Sequence, residues 1–329
     1  MLKKLGIEHL RSGNSMDIFL LTPPDARAME LLSFLQHKSD DSRRGIKARL
    51  SGAYANTCTD HYFFASIDGK IAGVLWYGYG RNPLPIANFG HVFTAPEYRG
   101  QGIATILLQY FRHSFATAPV LAAFCTCSQE WIAKMYLDIG FTGIIPGTKA
   151  GKLMLVNPPG SRNFAELLQE YYNDFNGLHL VPGTASWRHE LDCLGQFANV
   201  FTSRCFLSRQ LNNFQKALFL QEDGAGQVKV ILNSHKRCVG WCFAMNLSGD
   251  QGARPFFDFE LHNAIPVTAA GTILSVACRE LEVGMRPMLA GVLASQSPKS
   301  QILQQCGFQS LMAIPEYMPA DKLLLLARN

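Results

Sequence analysis

The chain has 329 residues, 48% hydrophobic and 17% charged, with a formal net charge of +5. That balance excludes disorder as the default state, and the length suggests two ordinary domains rather than one. No apolar run approaches the roughly 20 residues of a membrane span and no long block of like charge is present, so neither a membrane nor nucleic acid is an expected partner. At the start, Lys3 and Lys4 are followed by Glu8, His9 and Arg11 before any long apolar stretch. This is not the pattern of a secretory signal, and the expected location is the cytoplasm. Ile18 to Leu21 is a short strand, and the amphipathic stretch Ala26 to Gln36 behind Pro23-Pro24-Asp25 predicts a helix. The basic cluster Arg43 to Arg49 is short and interrupted, and reads as a solvated helix face.

Two strand-like runs, His61 to Ile67 and Ile71 to Tyr77, flank the turn signal Asp68-Gly69-Lys70 and predict a hairpin. Next come a strand at Phe89–Thr94, a helix at Gly102–Phe115, a strand at Val120–Cys127 and a helix at Gln129–Ile139 ending at Gly140. This order implies an α/β (α+β) domain with helices on both faces of a sheet. Nine cysteines, an odd number, lie mostly inside apolar runs and read as reduced core thiols; their spacing argues against a metal site.

The chain repeats itself. A shift of 167 carries Gly73 onto Gly240, Thr105-Ile106-Leu107 onto Thr272-Ile273-Leu274, and Gly140-Phe141 onto Gly307-Phe308 without a gap. One offset for three separated landmarks points to internal duplication. Breakers at Asn157-Pro158-Pro159-Gly160-Ser161 follow the last strand of the first copy. The expected division is a first domain at 1–157, a linker with a bridging helix (Phe164 to Tyr172) at 158–177, and a second domain at 178–329.

The segment from Val92 to Ala104 passes from a strand into the first turn of a helix. Gly100 and Gly102 allow close approach of a phosphate to the backbone, the helix start offers free N–H groups, and Arg99 adds positive charge. Arg99-Gly100-Gln101-Gly102-Ile103-Ala104 resembles the Arg/Gln-x-x-Gly-x-Gly/Ala signature of the GNAT acetyltransferases. Downstream, Gln129 to Phe141 resembles the family's Asn-x-x-Ala-x-x-Leu-Tyr-x-x-x-Gly-Phe, with Gln129 in place of the usual asparagine. The resemblance implies two tandem GNAT-like domains, each a mixed, mostly antiparallel twisted sheet flanked by helices. It implies acetyl-CoA as co-substrate, with Val92, Phe93 and Thr94 on its pantetheine arm and acetyl group, and Arg99, Gly100, Gln101, Gly102, Ile103 and Ala104 on its pyrophosphate. It also implies that Tyr136, a phenol with an ordinary pKa of about 10, protonates the departing thiolate. No acidic residue occupies Ala87 to Thr94, so His91 is the candidate base, with Asn88 or a water chain as substitutes.

At the shifted positions Arg99 to Gly102 become Pro266-Val267-Thr268-Ala269, and Tyr136 becomes Leu303. Pro266 lacks an N–H and the β-branched residues disfavour a glycine-type loop, so the second copy is expected to be degenerate. On its matching strand, Phe256 to His262, the residues Asp258, Glu260 and His262 are either acceptor contacts or exposed strand alternation. Together these features lead to an N-acetyltransferase acting on a primary amine, small-molecule or peptide, as a monomer or homodimer. A non-catalytic acyl-CoA-binding sensor is the alternative.

Overall fold

A computed structural model describes residues 1–143, 151–158, 160–197, 200–201, 214–245, 255–281, 287–318 and 321–328. Pro159, one of the expected breakers, and Cys205 lie outside them. The chain forms two compact units, Met1–Leu167 and Leu168–Asn329, each built on one mixed, mostly antiparallel sheet flanked by helices. None of the described helices is long and apolar enough to cross a membrane.

In the first unit the order is β1 (Leu2–His9), β2 (Ser15–Leu21), α1 (Ala28–Phe34), α2 (Asp40–Leu50), β3 (Cys58–Ile67), β4 (Lys70–Gly80), β5 (Ile86–Thr94), α3 (Ile103–Ala116), β6 (Ala122–Cys127), α4 (Glu130–Asp138), β7 (Thr142–Gly143) and β8 (Gly151–Val156). The sheet runs β1-β2-β3-β4-β5-β6-β8-β7. Helix α5 (Phe164–Tyr171) straddles the division between the units.

Strands β3 and β4 read as continuous apolar runs because both faces of the sheet are covered. Tyr62, Phe64, Val74 and Trp76 pack with Leu31, Leu35, Ile46 and Leu50 of the α1–α2 layer and its edges. Phe63, Leu75, Tyr77 and Phe89 pack on the other face with Leu107, Phe111 and Phe115 of α3. Asp68 (φ 47°) and Gly69 (φ 78°) close the β3–β4 hairpin in the left-handed conformation that a two-residue turn demands. At the end of β8, the Asn157 amide donates to the carbonyls of Phe115, Ala118 and Val120 at 3.2, 3.0 and 3.1 Å, tying the α3–β6 connection down.

The sequence pattern missed β1. It is an edge strand carrying Lys3, Lys4 and Glu8, charges that blunt an edge and hide its alternation. The solvated-face reading of Arg43 to Arg49 also needs one correction: Arg49 is only 4% exposed and faces the sheet.

The second unit contains β9 (His179–Pro182), α6 (Arg188–Phe197), β10 (Val200–Phe201), α7 (Phe214–Glu222), β11 (Gly226–Leu232), β12 (Cys238–Met245), β13 (Phe256–His262), α8 (Val267–Leu281), β14 (Met288–Leu293), α9 (Ser297–Gln305), β15 (Gln309–Met318) and β16 (Asp321–Arg328). Its sheet runs β9-β11-β12-β13-β14-β16-β15, the order of the first unit from β2 onward, with β10 paired to β13 beside that path. The repeat extends to individual bonds. Phe141 N–H donates to Tyr136 C=O at 3.1 Å and Phe308 N–H to Leu303 C=O at 3.1 Å; Gly140 and Gly307 both have positive φ. Gly73 pairs with Thr94 and Gly240 with Leu261, again 167 apart. The eight described cysteines are free and buried.

His61 on β3 is partly buried beside the Tyr77 ring, 5.0 Å between centroids, with Nδ1 3.2 Å from Thr22 Oγ1. Burial pushes its pKa down to about 4. The unfolded chain therefore takes up a proton below about 6.5 that the native state refuses until about 4, so stability present above pH 6.5 is lost as pH falls between those values. We predict that His61→Gln flattens this acid limb, with a difference approaching about 3 kcal/mol near pH 4 in urea titrations; parallel limbs for the two proteins would refute the assignment.

Candidate functional site

The site begins with a parting of strands. β5 pairs in parallel with β6 only from Ile86 to Asn88, against Ala122 to Phe124. On its other edge β5 stays on β4, but the register slips between Val74 and Trp76, opposite Phe93 and Gly90. This bulge places His91 at φ 54°, an uncommon conformation for a residue with a side chain, and bends β5 away from its neighbour.

Beyond Thr94 the chain makes a single 3-10 turn over Pro96–Tyr98, then enters α3 through Gly100 (φ 77°) and Gly102 (φ 89°). Gly102 is the N-cap and no side chain caps the helix. The hydrogen bond from Ile106 N–H to Gly102 C=O, at 3.1 Å, closes the first turn and leaves the amides ahead of it for a ligand. A Cβ added at Gly100 or Gly102 would meet nothing within 4 Å, so the space beside the loop is open. Positive φ, open space and a helix dipole together make an anion cradle.

Between this loop, the free end of β5 and α4 lies a cleft of about 750 Å³, within the ordinary range for a cofactor-sized ligand. Val92, Phe93, Thr94, Arg99, Gly100, Gly102, Ile103 and Ala104 line it, so eight of the nine expected cofactor residues converge there. Gln101 is not among the lining residues; its Oε1 accepts a hydrogen bond from Ser12 Oγ at 3.0 Å. Gln129, Trp131, Ile132 and Met135 form the α4 wall. An anion cradle at one end and an apolar channel beside a free strand edge fit the phosphates and pantetheine arm of coenzyme A. The Arg99 guanidinium lies over the Phe93 ring at 5.9 Å, and its Nε donates to Thr94 C=O at 3.3 Å.

Tyr136 and His91 stand apart from the lining. Tyr136 is 6% exposed, its ring against Phe89 and Phe141 at 5.2 and 5.8 Å. Burial, reinforced by Cys125 and Cys127, raises its pKa well above the usual phenol value and keeps it protonated. His91 points to the other face, where its ring meets Trp76 at 5.0 Å and Arg49 Nη2 lies 3.0 Å from its Nε2. Since arginine can only donate, Nε2 is the acceptor and the ring proton of a neutral His91 sits on Nδ1. Asp60 completes the cluster: its Oδ1 accepts from Trp76 Nε1 at 2.8 Å and pairs with Arg49 Nε at 3.7 Å.

Sequence reasoning missed two residues near this site. Arg11 lines the cleft from the β1–β2 turn. His37 lies on the Phe93 ring at 4.0 Å, its pKa lowered by partial burial and by Lys38 and Arg99. Neither belongs to a local motif; only the fold brings them to β5.

Among its described residues the second unit has neither the bulge nor the glycine loop. β12 and β13 pair without a register shift, so the bulge is absent. α8 begins at Val267, five residues after β13, so positions that form the glycine loop in the first unit already lie in the first turn of a helix. The gap where β13 parts from β14, which among the described residues it meets only at Phe256–Leu289, receives a side chain of the same unit. Lys299 of α9, 1% exposed, makes an ion pair with Asp258, donates to Phe259 C=O at 3.0 Å and lies over the Phe259 ring at 4.5 Å. Its counterpart at the 167 offset is Ile132, a wall of the first cleft. Asp258 and Glu260 are therefore not exposed alternation: Asp258 is 5% exposed and holds Lys299, and Glu260 accepts from Trp241 Nε1 at 2.9 Å.

Two outcomes follow. Gly102→Val forces a β-branched residue into a left-handed N-cap and fills the open space, so if the loop is the anion cradle for coenzyme A, calorimetric affinity for CoA should fall at least a hundredfold while stability drops by only about 1–2 kcal/mol. Lys299→Met strands the buried Asp258, and should cost about 3–5 kcal/mol in chemical unfolding, with partial recovery in the Lys299→Met/Asp258→Leu double variant; a cost under about 1 kcal/mol would contradict the pairing.

A search of curated protein sequences returns no match. Among solved structures, the chain is similar to the GNAT domain of S. lividans PAT (16% identity over 46% of this chain and 96% of that one, TM-score 0.35). It is also similar to a spermidine N-acetyltransferase from Vibrio cholerae in complex with CoA and spermine (11%, 46% and 94%, TM-score 0.34), and to ribosomal-protein-S5-alanine acetyltransferase from Vibrio fischeri (10%, 47% and 94%, TM-score 0.33). Residues 59–143 match the family profile described as acetyltransferase (GNAT) domain. This segment holds the parted strands, the glycine loop and most of the cleft, and it is the part of the chain that matches the GNAT acetyltransferase domain.

Proposed function

We propose that the first unit is an acetyl-CoA-dependent N-acetyltransferase, in which a primary amine attacks the bound thioester directly. The observation that carries this reading is the anion cradle at Gly100–Gly102 opening into an apolar channel along an unpaired strand edge. Acetyl-CoA supplies the activated acyl group. The residues of the chain do the rest by position: the loop amides hold phosphate, Val92 to Thr94 offer backbone hydrogen bonds that orient the arm and polarise a carbonyl, and the channel walls exclude water. Tyr136, kept protonated by burial, is the proposed proton donor to the thiolate, with Met135 and Ile132 of the same helix in the cleft wall beside it. His91 is the proposed proton acceptor; it can serve once Arg49 releases Nε2, and a water chain can serve without that step.

In this reading the catalytic domain spans 1–157, a linker follows at 158–177, and 178–329 is a copy that keeps the fold without the cofactor site. Two observations favour a second reading, an acyl-CoA-binding module without turnover: Tyr136 lies outside the lining, and the acceptor nitrogen of His91 is occupied.

Thiol release from acetyl-CoA across a panel of amino acids, polyamines, aminoglycosides and peptides separates the two. We expect amine-dependent release, slowed by about 10²–10⁴ in kcat in Tyr136→Phe when chemistry limits turnover. Unchanged kcat would remove Tyr136 from the reaction. Binding of acetyl-CoA without release for any amine would establish the module instead.

A further inference from the structure

The first turn of the chain reaches the cofactor cleft. Leu10 N–H donates to Asn14 C=O at 2.8 Å, Gly13 N–H donates to Leu10 C=O at 2.9 Å, and Gly13 takes φ 88°. These bonds fold Arg11 and Ser12 into a tight turn between β1 and β2. Ser12 Oγ then donates to Gln101 Oε1 at 3.0 Å, across 89 positions, fastening the turn to the glycine loop. Tyr110 of α3 donates to Glu8 Oε1 at 2.8 Å and fixes β1 to the same helix. Held in this way, Arg11 is exposed and lines the cleft together with Gly100 and Gly102.

We propose that Arg11 binds a phosphate oxygen of the nucleotide end of coenzyme A, so that the β1–β2 turn and the glycine loop clasp the ligand from two sides. This rests on the acetyl-CoA reading above and extends it to a residue outside the motifs. Two cations line the cleft, Arg11 and Arg99. Arg99 is committed to Thr94 C=O and the Phe93 ring, whereas among the described residues Arg11 has neither a hydrogen bond nor an ion pair. The loop amides suit the pyrophosphate, and the ligand carries in addition a phosphomonoester of about −1.5 to −2 charge at neutral pH. A guanidinium fork meets such a group with two parallel hydrogen bonds.

The test is calorimetric titration of CoA and of dephospho-CoA into the full-length wild type, Arg11→Ala and Arg11→Lys. Quenching of Trp131, 66% exposed on the opposite wall of the cleft, gives a second readout independent of turnover. Arg11→Ala should weaken CoA about tenfold and flatten the salt dependence, with partial recovery in Arg11→Lys, at unchanged circular dichroism. A loss confined to CoA assigns Arg11 to the phosphomonoester, and an equal loss with both ligands assigns it to the pyrophosphate; either supports the clasp. Wild-type affinity of Arg11→Ala for both ligands would overturn it. A folded wild type that binds neither would overturn the acetyl-CoA reading itself, and the clasp with it.

Discussion

Two parallel strands that pair for three residues and then part leave a wedge in the middle of a sheet, with backbone groups on its sides that must find partners elsewhere. Everything particular to this protein is arranged around that wedge. In the first unit a bulge turns β5 outward, a glycine loop closes the top and α4 forms the far wall, leaving room for a ligand. In the second unit the wedge between β13 and β14 receives an ammonium group from its own chain: Lys299 supplies the donor that Phe259 C=O requires and the charge that Asp258 requires. The same geometric problem has an external solution in one copy and an internal one in the other.

The duplication kept what the fold needs and changed what the site needs. Gly73 and Gly240 sit at the same place in β4 and β12 for a steric reason. A Cβ would come within 2.7 Å of Ile103 Cγ2 in the first unit, and within 2.3 Å of Leu261 Cδ2 and 2.6 Å of Glu260 C=O in the second. Gly140 and Gly307 both end a helix in the left-handed conformation. By contrast, Gly100 and Gly102 face open space, so packing does not demand them, and the second copy has neither.

This difference explains how much could be read from the sequence. Positions dictated by local backbone chemistry were legible: the hairpin at Asp68-Gly69, the loop of Gly100 and Gly102, the helix ends at Gly140 and Gly307, and the repeat they define. Positions dictated by distant neighbours were not. Arg11 reaches the cleft because a charged edge strand, β1, pairs with β2, and nothing in Arg-Ser-Gly-Asn announces a phosphate contact. Arg49 sits in a basic run that looks solvated, yet the helix turns it onto Trp76, 4.6 Å from the ring. The bulge at His91 is invisible in the sequence because register depends on how β4 and β5 pair, not on either strand alone.

The buried cluster behind β5 gives that bulge its physical basis. A histidine at φ 54° costs free energy that its surroundings must offset, on the order of 1–3 kcal/mol. Here the ring is held on one side by Trp76 and at its edge by Arg49, and Arg49 is itself fixed by Asp60, which also anchors the Trp76 indole. A buried arginine and aspartate contribute little net stability, since their desolvation consumes most of the Coulombic gain. They do constrain orientation, and orientation is what a strained backbone requires. In the second unit the bulge has gone, and its buried ion pair lies within the wedge instead, joining α9 to β13. Among the described residues each unit thus places a buried ion pair in contact with the strand that borders its wedge. The first acts from behind that strand and leaves the space open; the second stands in the space and closes it.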